Sequence, residues 1–315
     1  MKIIITGSIA YDYLMFFPGK FTDTILPEHL DRLSVSFLVD SMEKRRGGVA
    51  CNIAYNLGIL GERPVLFGSA GQDFGEYRGW LESKNVDTSL VNEVESKFTA
   101  SFFCNTDLEN RQIASFYAGA MSDDAELSLK DLPFTPDLVI VSPTNPVAMV
   151  KFANECKELG IRYIYDPGQQ CARSSGDELR AGVLGAHILI VNDYEMEVIR
   201  SKTGLSEADI LAQGEVVIVT KGAKGSSILL KDGSQIDVPS VPEHKIVDPT
   251  GVGDAFRGGL MKGLSMGADW ETCGRMGSVA ATYCLEHVGG QSHSYTWVDF
   301  KRRYEVNFGK LNLPS

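Results

Sequence analysis

The chain has 315 residues, 43% apolar and 23% charged, with a formal net charge of −11. That length and balance suit one large α/β domain with a sizeable core, and no run approaches the length of a membrane span. The acidic excess argues against nucleic acid or an anionic membrane surface as the main partner, so any anionic substrate must be held by a local positive field.

Residues 2–6 are a buried-strand pattern ended by Gly7, and Asp12 follows too soon for a secretory signal, so a cytoplasmic protein is expected. Short β-prone stretches at 14–17 and 34–39 are separated by Pro18, Gly19 and Pro27. Residues 98–105 and 111–117 flank the turn Asp107-Leu108-Glu109-Asn110 and read as a hairpin. These pieces predict a small β lid over 12–46 and 98–118, apart from a catalytic domain over 1–11, 47–97 and 119–315.

In that larger part, strands are predicted at 65–69, 138–142, 162–166, 188–191 and 216–220. Helices are predicted at 49–60, 74–84, 146–159 and 193–202. A hairpin follows over 226–230 and 235–238, then helices near 254–266 and 270–287, and a charged final helix after Trp297. Strands alternating with helices imply a doubly wound, mostly parallel sheet flanked by helices. Ligands of such folds bind beyond the carboxyl ends of the strands. Polar or glycine-rich segments fall there at 7–12, 142–146, 166–170, 192–195 and 220–225. Six cysteines, at 51, 104, 156, 171, 273 and 284, form no C-x-x-C pair and read as small buried side chains.

The most informative stretch is Asp248-Pro249-Thr250-Gly251-Val252-Gly253-Asp254-Ala255-Phe256-Arg257-Gly258-Gly259. A glycine-rich turn that runs into a helix gathers backbone N–H groups at the positive end of the helix dipole, which makes an anion site. Asp254, in the first helical turn, is placed to take a proton from an alcohol while that site holds a phosphoryl group. The spacing alone equally allows Asp254 to do no more than complement the dipole. No Walker G-x-x-x-x-G-K-[ST] occurs, and Phe256 stands where a dinucleotide fingerprint has its third glycine.

This stretch resembles the C-terminal signature of the ribokinase-like (PfkB) kinases. Gly47-Gly48-Val49-Ala50-Cys51-Asn52 resembles their N-terminal one, about 200 residues earlier and in the right order. The resemblance implies that Asp254 is the base and that Gly251, Val252 and Gly253 form the anion hole. It implies that Asp248, the carbonyl of Thr250 and Gly290 hold a monovalent cation, usually K⁺. Asn192-Asp193-Tyr194-Glu195 matches the family's N-x-x-E, which orients hydrated Mg²⁺ and the ATP phosphates; the same spacing is a helix capping box, and the two readings coexist. Thr220, Gly222 and Gly225 match the segment that lines the nucleotide, and Asp12, Gly48 and Asn52 match the ribose clamp.

Further segments look like the bacterial, actinobacterial-type adenosine kinases of that family. These are Gly7 to Asp12, Ile25-Leu26-Pro27-Glu28-His29-Leu30, Val35 to Val39, Arg46 to Asn52, Gln112-Ile113-Ala114-Ser115-Phe116-Tyr117 and Asn192 to Glu195. That likeness implies contacts from Ser8, Phe102 and Phe116 to adenine, Ser36 donated across a lid-mediated homodimer, and Arg173 near the reaction zone. The expectation is therefore ATP-dependent phosphorylation of adenosine at the ribose 5′-hydroxyl. The alternatives are a broad nucleoside kinase, a sugar kinase, or a non-catalytic binding protein; the last should lack Asp254 or the loop glycines, and all are present.

Overall fold

The computed structural model describes residues 1–25 and 34–313. The segment 26–30, within the adenosine-kinase likeness, lies outside the described residues, as does Pro27. A nine-stranded sheet has the order β13-β12-β11-β10-β9-β8-β1-β4-β5. Its parallel members are β1 (Ile3–Thr6), β4 (Val65–Gly71), β5 (Val91–Val94), β8 (Leu138–Val141), β9 (Tyr163–Tyr165), β10 (Ile188–Asn192) and β11 (Val216–Thr220). The hairpin β12 (Ser226–Leu230) and β13 (Gln235–Val238) extends one edge antiparallel.

Central strands covered on both faces need apolar side chains at consecutive positions. Ile3 and Ile5 pack on one face, with α2 (Val49–Ile59), α3 (Gly75–Ser83) and α8 (Val252–Ser265). Ile4 turns to the other, with α4 (Pro146–Leu159), α5 (Gly176–Val183), α6 (Asp193–Thr203) and α7 (Glu207–Gln213). The two-residue period of a strand separates the two cores. A third cluster joins α8 to α9 (Trp270–Leu285) and α10 (Trp297–Phe308) through Phe300 and Tyr304. No helix of the described residues is long and apolar enough to cross a membrane. All six cysteines are buried and free.

A second sheet, ordered β3-β2-β6-β7, comprises β2 (Ala10–Phe16), β3 (Ser41–Gly47), β6 (Ala100–Thr106) and β7 (Gln112–Tyr117). The hairpin of β6 and β7 is where the turn signal put it. Its Asp107 carboxylate accepts from the amides of Glu109, Arg111 and Phe21. Residues 34–39 form no strand, contrary to expectation, and Leu38 is 85% exposed. The strand is instead the charged stretch Ser41–Gly47, antiparallel to β2 from Phe16↔Ser41 to Ala10↔Gly47. An edge strand lined with long charged side chains is protected from further pairing, and that same composition hides it in the sequence.

Candidate active site

Three cavities lie in a row beyond the carboxyl ends of β1, β8, β9, β10 and β11. The first, about 230 Å³, is walled by Asp12, Leu14 and Phe102 of the small sheet, Arg45 and Arg46 of β3, Asn52 of α2, and Thr250, Gly289 and Gly290. The second, about 180 Å³, holds Asp166, Asn192, Glu195, Gly253, Asp254 and Arg257. The third, about 560 Å³, runs from Asn192 and Thr220 past Gly222, Gly225, Val252 and Phe256 to Leu285. Asn192, Thr220 and Gly253 border both the second and the third.

The small sheet aims its row by register. Asp12 sits opposite Arg45 on one side and Phe102 on the other, and Phe102 sits opposite Phe116, so the four share one face. Burial pushes the Asp12 carboxyl up to about 6, against the pull of Arg45, and the Asp248 charge adds to the rise. Phe116 is 45% exposed. Ser36 is exposed as well. Ser8 is buried and does not wall the cavity: its hydroxyl accepts from the Val49 amide at 3.0 Å and so satisfies the start of α2. Gly48 has φ 88°, and a Cβ there would lie 2.4 Å from the Ser8 carbonyl oxygen. That approach lets α2 begin against the end of β1.

Gly251, with φ 77°, precedes α8. A Cβ on it would come within 2.6 Å of Gly290 Cα. Among the described residues the amides of Gly253 and Asp254 have no protein acceptor, so donors and helix dipole together face the middle cavity. Asp254 is half-buried, and its Oδ2 accepts from Asn52 Nδ2 at 2.8 Å. Asn52 Oδ1 in turn accepts from Gln291 at 2.9 Å, and Gln291 accepts from the Trp80 indole at 3.2 Å. Asn52 walls the first cavity and Asp254 the second, so the carboxylate stands at their boundary. Burial pushes the Asp254 carboxyl up to about 7, opposed by Arg257 and the Asn52 hydrogen bond and assisted by Asp166. A carboxylate poised near neutrality is suited to general-base work.

Asn192 and Glu195 form a capping box at the start of α6. Glu195 Oε2 accepts from the Asn192 amide at 2.8 Å, which leaves its other oxygen without a protein donor among the described residues. Burial raises the Glu195 carboxyl above its usual range. Among the described residues no three His, Cys, Asp or Glu side chains gather to hold a metal. One carboxylate oxygen beside a phosphate-sized cavity fits Mg²⁺, which keeps its waters and takes substrate oxygens. Asp248 accepts from the amides of Thr250 and Gly289, both at 2.9 Å, and stands 3.4 Å from Arg45. Among the described residues the Thr250 carbonyl receives only the Cys284 thiol, at 3.4 Å. A carboxylate with spare lone pairs and a weakly bonded carbonyl leave oxygens that suit a large monovalent cation, although Arg45 already supplies positive charge there.

Arg173 is exposed after the turn Gly168–Ala172 and does not wall the middle cavity, whereas Gly168 and Gln169 do. Several residues at the site went unread in the sequence. Arg45 lies two residues before the paired glycines, and Gln291 lies beside Gly290. Arg257 is inside the C-terminal signature, three residues after Asp254 and so on the same helix face, and its partner Asp166 is 91 residues away.

Similarity to known proteins extends over nearly the whole chain. A nucleoside kinase of Methanocaldococcus jannaschii is 30% identical over 307 residues, which is 96% of this chain and 97% of that protein. The structure of Burkholderia thailandensis nucleoside kinase in complex with inosine superposes with a TM-score of 0.86 at 34% identity, covering 99% of this chain and 100% of that one. The same enzyme in complex with ADP-inosine gives 0.85 at 35% identity, covering 99% and 98%. The model of the pfkB family carbohydrate kinases matches residues 10–297, and with Asp254 beside unpaired amides in a ribokinase-like fold, the chain belongs to that family.

Proposed function

We propose that the protein is an ATP-dependent nucleoside kinase that phosphorylates the 5′-hydroxyl of ribonucleosides with little selection among bases. The observation that carries this reading is the boundary position of Asp254, between a cavity floored by Asp12 and Asn52 and the free amides of α8. Asp12 accepts from the ribose diol, Asn52 and Arg45 border the sugar, and Asp254 takes the 5′-hydroxyl proton as the oxygen attacks the γ-phosphorus. Thr220, Gly222 and Gly225 line the adenosine part of ATP in the large cavity, and Asn192 and Glu195 orient Mg²⁺ through water. The metal supplies neutralisation of phosphate charge. Asp248, Thr250 and Gly290 are the proposed K⁺ site.

Adenosine is one acceptor in this proposal and not the sole one. The walls on the base side, Leu14 and Phe102, are apolar, and Ser8, whose hydroxyl accepts from the Val49 amide, does not wall the cavity, so the base meets apolar surface that every nucleobase can use. The nucleoside kinase names of the relatives support the broader reading over strict adenosine specificity. Exposed Met42, Phe103, Ile113 and Tyr117 on the small sheet support a homodimer through that sheet. The test is ADP release over a panel of adenosine, inosine, guanosine, cytidine, ribose and fructose. Comparable turnover of several nucleosides is expected; turnover confined to free sugars would overturn the assignment, and turnover of adenosine alone would restore the narrower one.

A further inference from the structure

The middle cavity is bordered by three carboxylates, from Asp166, Glu195 and Asp254, and among the described residues by one cation, Arg257. A triphosphate entering this space meets an excess of negative charge, and among the described residues Arg257 is the cation placed to offset part of it. Helix side chains lean toward the N-terminus, so Arg257, one turn into α8, lies back over the free amides of Gly253 and Asp254. Its Nη1 is 2.9 Å from the point a Cβ on Gly253 would occupy, so the glycine keeps the guanidinium and the amides on one open surface.

Arg257 as a residue is 8% exposed. Of its five N–H donors, one bonds within the protein among the described residues, from Nη2 to Asp166 Oδ1. Arg257 Nε and Asp166 Oδ2 are buried and have no hydrogen-bond partner among the described residues. Buried charged groups normally exhaust their hydrogen bonds on protein, and this pair does not.

We infer that Arg257 is a catalytic residue that donates to the phosphoryl group in flight, and that Asp166 is a positioning residue that fixes the guanidinium against the anion hole. The inference rests on the kinase reading above. In the step, the acceptor oxygen bonds to the γ-phosphorus while the bond from that phosphorus to the β–γ bridging oxygen breaks. The hydroxyl proton passes to Asp254, and ADP leaves with the bonding pair. The guanidinium, permanently charged and planar, spans two equatorial oxygens as their charge is shared out.

The competing account makes the ion pair a tie between α8 and the end of β9. Removing one buried partner would then destabilise the protein, and removing both would restore it. The experiment compares the wild type with Arg257→Gln, Asp166→Asn and the double variant, reading melting temperature, acceptor KM, kcat and the pH profile. Whichever alcohol the wild type phosphorylates serves as acceptor, so an error over nucleosides leaves this test intact.

Arg257→Gln is expected to lower kcat by about 100-fold, with acceptor KM changed by less than about threefold. The double variant is expected to recover melting temperature without recovering kcat. The acid limb should also move to higher pH. Among the charged groups facing Asp254, Arg257 favours its ionised form and Asp166 opposes it, so loss of the arginine leaves the opposing one. Recovery of kcat together with stability in the double variant, or kcat of Arg257→Gln within about threefold of wild type, would overturn the inference. A wild type inert on every alcohol would remove the kinase reading itself.

Discussion

Asn52 donates to Asp254 across 2.8 Å, and the two residues are 202 apart in the chain. The bond joins the N-terminal turns of α2 and α8, each opened by a glycine at positive φ, and it sets the carboxylate where two cavities meet. It favours the ionised form of Asp254 against burial.

Replacing that carboxylate separates binding from chemistry. Asp254→Asn is expected to keep nucleoside affinity within a few-fold and to lower kcat by at least about 100-fold, since a positioned base contributes about 10²–10⁴. Calorimetric titration and a coupled ADP assay on the same preparation check both halves.

The pH profile follows from the sign of the shift. Asp254 must be ionised to accept a proton, and its carboxyl is pushed up to about 7. Below that value the protonated form dominates and kcat/KM falls about tenfold per pH unit; above it the rate levels off. Asn52→Ala removes a donor to the carboxylate, so its acid limb should move to higher pH. A limb near 4 in the wild type would contradict this account.

Asp12 tests acceptor binding. Its carboxyl is raised to about 6, so its charge and its acceptor capacity for a diol are lost as pH falls through 6. Asp12→Ala is expected to raise the nucleoside KM about 10- to 100-fold, the worth of a charged hydrogen bond, with a smaller effect on kcat. A 2′-deoxynucleoside should show the same loss with the wild type and less of it with the variant.

The N-x-x-E pair was legible in the sequence, but its proposed metal role and its capping role share one spacing, and the structure shows the cap. One Glu195 oxygen completes the cap, the other has no protein donor among the described residues, and Glu195 borders the middle cavity. Glu195→Gln retains the acceptor for the Asn192 amide and loses the charge. The expected result is an unchanged melting temperature with a Mg²⁺ requirement about tenfold higher.

Contiguous motifs were readable because their chemistry is local. The run from Asp248 to Phe256 carries its turn, its donors and its proposed base in nine residues, and the alternation of strands and helices around the large sheet follows from periodicity. The Arg257–Asp166 pair was not readable, because its meaning depends on a contact across 91 positions. Strand β3 was missed because Glu43, Lys44, Arg45 and Arg46 look like a solvated loop until β2 lies beside them. Helices α5 and α7 were missed although Ser175-x-x-Glu178 and Ser206-x-x-Asp209 announce both, because each is short and weakly apolar.

Gly48 carries a stability prediction. Gly48→Ala forces an L side chain into φ 88° and drives a methyl to 2.4 Å from the Ser8 carbonyl. The expected cost exceeds about 1 kcal/mol, with a melting temperature lower by about 2 °C or more. Nucleoside KM should rise as α2 shifts.

Five of the buried thiols give the protein an internal clock. Burial pushes Cys51, Cys156, Cys171, Cys273 and Cys284 up to about 12, so in the folded chain almost none is thiolate at neutral pH. Only the thiolate attacks an alkylating reagent. Iodoacetamide uptake therefore counts excursions of the chain out of its packed state, and bound nucleotide should slow that count at Cys51 and Cys284, which flank the acceptor and the glycine loop.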